Sequence, residues 1–217
     1  MPATPYLVSD VMTHTVIAVG RDAPFKDIVR LMEQWRVSAL PVLEGEGRVI
    51  GVVSEADLLP KEEFRDSDPD RFTQLHRLSD LARAGGLSAG ELMSSPAVTV
   101  HPGSTLAQAA RIMAQRKVKR LPVVNDEGML EGVVSRADLL KVFLRPDKDI
   151  ADEIRRDIVD VLLPVPVEPV HVMVTEGVVT LTGKIRNADL IPMTIRLARA
   201  VEGVVDVDCH ISSADAS

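Results

Sequence analysis

Aromatic residues make up only 3% of this chain. Its core is therefore left to Val, Leu, Ile, Ala and Met, and the ring platforms on which single-stranded nucleic acid stacks are missing. Cysteine is as scarce: Cys209 stands alone, which excludes an internal disulfide and suits a reducing compartment. Within the alternating run 205–209 it reads as a packing residue. Positive charge is in deficit, and a net charge of −7 argues against a broad grip on DNA or anionic lipid. No apolar run reaches the length of a membrane span, and the opening MPATPYLVSDVM lacks the basic start and apolar stretch of a signal peptide. A cytoplasmic protein with no nucleic-acid partner is expected. A Gly-rich phosphate loop and a nucleophile–base pair are also missing, and His14, His76, His101, His171 and His210 are scattered without metal-ligand spacing. No catalytic residue, resident metal or required cofactor is expected.

What the chain does have is a tandem repeat. GVVSEADLL at 51–59 returns as GVVSRADLL at 132–140, and at the same offset of 81 residues Met12 answers Met93, Val19 answers Val100, and Leu40-Pro41-Val42 answers Leu121-Pro122-Val123. Copies that cannot close their cores alone pack against each other. Phe25, Ile28, Val29 and Met32 lie on one helical face, as do Leu106, Ala109, Ala110 and Met113. Each helix precedes two apolar runs, 39–43 with 49–53 and 121–124 with 130–134, which read as adjacent strands. A second helix starts at Ser54 or Ser135, so the unit is strand, helix, strand, strand, helix. The class is α/β (α+β).

The pairs Ser54/Asp57 and Ser135/Asp138 read in two ways. A Ser with an acid three residues on is a capping-box-like helix start that need bind nothing. The same helix mouth also offers N–H groups to a ligand, and its carboxylate can accept both hydrogen bonds of a vicinal diol. Arg116, Lys117, Lys119 and Arg120 run into the second Leu-Pro-Val, and Arg136 lies between Ser135 and Asp138. Such a run is a solvated helix end or, beside a diol-binding acid, a phosphate grip. Ser38 and Ala39 replace Lys119 and Arg120 in the first copy and Glu55 replaces Arg136, so two unequal clefts are expected, the first the poorer in cations.

The motifs Asp10-Val11-Met12-Thr13 and Glu91-Leu92-Met93-Ser94, the two Leu-Pro-Val segments and the two Gly-Val-Val-Ser-x-Ala-Asp segments, in this order and twice, resemble the CBS domain over 7–60 and 88–145. The resemblance implies a pseudo-twofold pair of β-α-β-β-α repeats, a Bateman module, with two clefts that take adenosine ligands such as AMP, ADP, ATP or S-adenosylmethionine. Carried over by position, it implies Ser54, Asp57, Ser135 and Asp138 toward ribose or phosphate. Thr15-Val16 and Pro96-Ala97 fall toward adenine, and Lys119, Arg120 and Arg136 toward phosphate. It further implies a homodimer.

Residues 61–87 read as a charged linker in which Phe72, Leu75, Leu78 and Ala82 keep a helical spacing. After it and the second repeat the character changes. Ile150, Ile154, Ile158, Val161 and Leu162 mark an amphipathic helix, 171–175 and 178–182 two strands around a tight Glu176-Gly177 turn, and 204–211 a last strand; before it a helix begins at Asn187 or Ala188, with Pro192 in its first turn, and ends at Glu202-Gly203. Glu176-Gly177-Val178-Val179-Thr180-Leu181-Thr182-Gly183 and Val201-Glu202-Gly203-Val204-Val205-Asp206-Val207 resemble the signatures of a BON domain over 150–213, a small α-β-β-α-β fold. That resemblance implies a protein partner or a membrane surface for the tail. The combined expectation is a non-catalytic sensor that binds an adenosine ligand between its repeats and relays it through the tail. The alternative is an interaction or membrane-surface adaptor with empty clefts.

Overall fold

The computed structural model describes residues 6–63 and 85–214, and these divide into two units, residues 7–138 and Tyr6 with residues 139–214. The expected linker helix, with Phe72, Leu75, Leu78 and Ala82, lies outside the described residues. In the first repeat α1 (Val8–Val11) is followed by β1 (Val19–Gly20), α2 (Phe25–Trp35), β2 (Ala39–Glu44), β3 (Arg48–Ser54), α3 (Glu55–Leu58) and α4 (Pro60–Glu63). The second repeats it with α5 (Ala89–Leu92), α6 (Leu106–Arg116), β4 (Arg120–Val124), β5 (Leu130–Ser135) and α7 (Arg136–Leu140), then a 3-10 turn over Lys141–Leu144. Both long helices bury most of the face their spacing announces, Ile28 and Met32 in one and Leu106, Ala109 and Met113 in the other, but Val29 and Ala110, expected on the same faces, are exposed. Both stop at a cation in the left-handed region, Arg36 at φ 54° and Lys117 at φ 55°, whose N–H turns back to the last carbonyls.

β2 pairs antiparallel with β3, setting Leu40 opposite Val53 and Val42 opposite Gly51, while β1 runs parallel to β2. β4 and β5 keep the same register, Leu121 opposite Val134 and Val123 opposite Gly132. The expected first strand of the second repeat shrinks to a single parallel bridge between Val100 and Val123.

The opening turns α1 and α5 are additions to the expected order, and they are exchanged between the copies. Ala89 N–H donates to Ala23 O at 2.9 Å, and Val8 N–H donates to Ser104 O at 2.8 Å. Ala89 and Leu92, both fully buried, belong to the cluster of Ile28, Leu40, Val42 and Val53 from the first repeat. The second copy thus completes the core of the first. Along the middle, Val52 and Ser94 exchange backbone hydrogen bonds, as do Thr13 and Val133. Gly51 and Gly132 keep this line closed, since a side chain at either would collide with Met93 or Met12.

In the other unit, α8 (Asp147–Ile154) passes through a π-helical turn, Arg155–Val159, into α9 (Asp160–Leu162); β6 (Glu168–Thr175), β7 (Val178–Ile185), α10 (Leu190–Ala200) and β8 (Asp206–Ser213) follow. β7 lies between β6, antiparallel to it, and β8, parallel to it. The helix expectation is corrected at its second half. Ile150, Ile154 and Ile158 are buried, but so are Val159 and Leu163, while Val161 is 66% exposed. The extra residue in the π-turn advances the buried stripe by one position. At the hairpin, Glu176 and Gly177 both take positive φ, 51° and 74°, the signature of a two-residue primed turn.

Candidate functional site

Each repeat sends its second strand of the antiparallel pair directly into a short helix, and the Ser-x-x-Asp residues sit at that junction. Ser54 N–H and Ser54 Oγ–H both donate to Asp57 Oδ2, at 2.9 and 2.6 Å. Ser135 does the same toward Asp138 Oδ2 at the same two distances. The capping reading therefore holds in both copies. It does not exhaust the carboxylate, which has about four lone-pair positions. Asp57 is buried, at 6% exposure, and its Oδ1 accepts from Ser94 Oγ of the second repeat at 3.1 Å. α3 is a single turn, so the dipole expected from a long helix is slight and the side chains carry the polarity.

Beside Asp57 lies a cavity of about 380 Å³, within the size range of small-molecule sites. It brings together six of the residues singled out from the sequence: Ser54, Asp57, Pro96, Ala97, Lys119 and Arg120. Val52, Ala56, Leu59, Val98 and Val118 supply apolar wall. The arrangement offers an acid with hydroxyl neighbours, an apolar slot and two cations, the groups that meet a sugar, a base and an anion.

The allocation of cations to clefts is corrected here. Arg120 is registered opposite Ser135 in the sheet, yet Lys119 and Arg120 line the cavity of Ser54 and Asp57. The cause is the exchange along the midline: because Val52 bridges Ser94, the segment 94–98 and the start of β4 border the acid of the first repeat. The cleft expected to be poor in cations is the one that receives them. Thr15, Val16, Ser135, Arg136 and Asp138 do not line this cavity. They occupy its counterpart positions at the offset of 81, with Thr13 bridging Val133 as Ser94 bridges Val52. Arg136 is exposed, and its guanidinium donates to Val118 O at 3.1 Å.

Ser38, Ala39 and Glu55, which the first copy sets against Lys119, Arg120 and Arg136, line this cavity too, whereas Ser94 was not expected there. Ser94 was legible only as part of a family motif, and its role depends on a contact between copies. Among the described residues there is no group of three or more His, Cys, Asp or Glu placed to hold a metal ion, and no helix long and apolar enough to cross a membrane.

Comparison with known proteins follows the same division. A family model for the CBS domain matches residues 8–61 and 89–145, and one for the BON domain matches residues 146–215. The CBS domain-containing protein YhcV of Bacillus subtilis is 30% identical over 132 residues, covering 61% of this chain and 81% of YhcV. The chloroplastic CBS domain-containing protein CBSX2 of Arabidopsis thaliana is 28% identical over 155 residues, 64% of each chain. The crystal structure of CBSX2 in complex with AMP superimposes with a TM-score of 0.57 at 30% identity, covering 64% of this chain and 97% of that one. The CBS domain pair of MJ0100 gives a TM-score of 0.50 at 17% identity, a likeness of fold.

Proposed function

Because the chain belongs to the CBS-domain family and carries a BON domain after its two repeats, we propose that it is a non-catalytic regulatory protein whose repeats bind an adenosine-containing ligand. The observation that carries this reading is the single cavity joining Asp57 and Ser54 to Pro96, Ala97, Lys119 and Arg120. In this reading Asp57 and Ser54 accept and donate to the ribose, Pro96-Ala97 flank the adenine, and Lys119 and Arg120 hold phosphate. Thr15, Val16, Ser135, Arg136 and Asp138 form the counterpart. The similarity to CBSX2, whose structure holds AMP, supports an adenine nucleotide.

The ligand class is AMP, ADP, ATP or S-adenosylmethionine, and binding shifts the repeats only by the difference in affinity between their arrangements. The BON domain relays that shift to a protein partner, and the chain works as a homodimer in the cytoplasm. A thermal-shift panel of these four ligands tests the reading. A ligand present at a hundred times its Kd adds about 2.7 kcal/mol of stability. Asp57→Ala and Asp138→Ala should each remove one equivalent of binding by calorimetry. A flat panel on folded, ligand-stripped protein would sink the reading and leave the adaptor with empty clefts.

A further inference from the structure

The cavity beside Asp57 does not end at the cations. A second cavity, of about 560 Å³, shares Ser38, Glu55, Leu59 and Arg120 with it as lining, so the two adjoin. A ligand that extends from the first toward the second passes Glu55 and Arg120. In the first cavity Lys119 and Arg120 are balanced by Glu55 and Asp57. In the second, Arg36 and Arg120 are outnumbered by Glu33, Glu55 and Glu62. Beyond the joint, Arg36 stands against Glu33 and Glu62, so added negative charge meets a net acidic lining there.

We propose that Glu55 is the residue that limits the phosphate number of the ligand, setting the Asp57 cleft for a nucleoside monophosphate over a triphosphate. The proposal rests on the nucleotide-binding reading above. Glu55 is exposed at the joint of the two cavities, and among the described residues its carboxylate has no hydrogen-bond or ion-pair partner. The position is occupied oppositely in the two repeats. Glu55 answers Arg136 at the offset of 81, while Lys119 and Arg120 answer Ser38 and Ala39. Lys119 and Arg120 face both Glu55 and Asp57 in this cleft, so the two cations carry no excess with which to hold a chain of phosphates. Each further phosphate adds negative charge that Glu55, lining both cavities, repels, and because this carboxylate is exposed the repulsion weakens as salt is raised.

Isothermal titration of the full, ligand-stripped chain with AMP and with ATP tests this, on the unsubstituted protein, Glu55→Gln and Glu55→Arg, each checked for folding by circular dichroism. The unsubstituted protein should bind AMP more tightly than ATP. The ratio of ATP Kd to AMP Kd should fall about tenfold in Glu55→Arg, equivalent to about 1.4 kcal/mol, and by a smaller factor in the near-isosteric Glu55→Gln. AMP affinity should rise as well, by a smaller factor than ATP affinity, because its one phosphate meets less of the removed repulsion. AMP binding with a ratio that neither folded variant moves, or equal affinity for both nucleotides in the unsubstituted protein, overturns the role of Glu55 and leaves the nucleotide reading standing. Failure of the unsubstituted protein to bind any adenylate overturns that reading and the role of Glu55 with it.

Discussion

Ser94, in the second repeat, donates its hydroxyl to Asp57 of the first at 3.1 Å, and the backbone of Ser94 exchanges hydrogen bonds with Val52 just upstream of that acid. The carboxylate that defines the cleft is thus oriented from both copies. Ser94→Ala removes a donor from a buried charged group, a change that costs about 1–3 kcal/mol. Urea denaturation should show a loss in that range, and AMP affinity should weaken because Asp57 is no longer fixed. Full retention of both would show that Ser94 does not orient the acid.

The exchange of opening turns makes a second prediction. Leu92 belongs to the second repeat by sequence but is fully buried in the core of the first. Leu92→Ala should cost about 2–5 kcal/mol, the range for a buried leucine truncated to alanine. Leu87→Ala, at 69% exposure five residues away, should stay within about 0.5 kcal/mol. Chemical denaturation of both variants checks the pair, and similar losses would show that α5 frays in solution.

The sequence made the repeats legible because an offset without gaps forces a common fold, and the spacing of Ile28 with Met32 and of Ala109 with Met113 marked faces that are indeed buried. The turns at α1 and α5 were illegible because a four-residue helix has no periodicity to read. An offset also says that two copies are alike without saying which acid meets which cation. Hence Lys119 and Arg120 looked like partners of Asp138, and only the bridge between Val52 and Ser94 brings them to Asp57. The π-turn at Arg155–Val159 was hidden for a similar reason, since a one-residue advance within an apolar helix leaves each residue type acceptable on either reading.

In the tail, the carboxylate of Asp147 accepts from the N–H groups of both Glu176 and Gly177, at 2.9 Å each. It fastens the start of α8 to a turn that already requires positive φ. Asp147→Ala should cost about 1–3 kcal/mol, because two N–H groups lose a charged acceptor. Hydrogen exchange of those two amides should accelerate beyond that of Val179 in β7. Unchanged exchange would mean that the turn holds itself.

Glu91 supplies a dependence on pH. Its carboxylate accepts from Leu87 N–H at 2.7 Å and from Ser88 N–H at 3.2 Å, and these bonds, that of Leu87 foremost, hold its pKa below the ordinary glutamate value. A folded pKa below the unfolded one means that the unfolded chain binds more protons through that interval, so stability rises with pH across it. The contribution is complete above the ordinary glutamate range and is lost as pH falls through the lowered folded value. Glu91→Gln keeps an acceptor for the same N–H groups but has no proton to gain. Its stability, followed by thermal denaturation from neutral to acidic pH, should therefore decline less steeply than that of the unsubstituted protein. The exposed Glu46→Gln should follow the unsubstituted curve. If the Glu91→Gln curve also runs parallel to it, the cap of α5 is not coupled to folding, and the exchange of opening turns loses its electrostatic support.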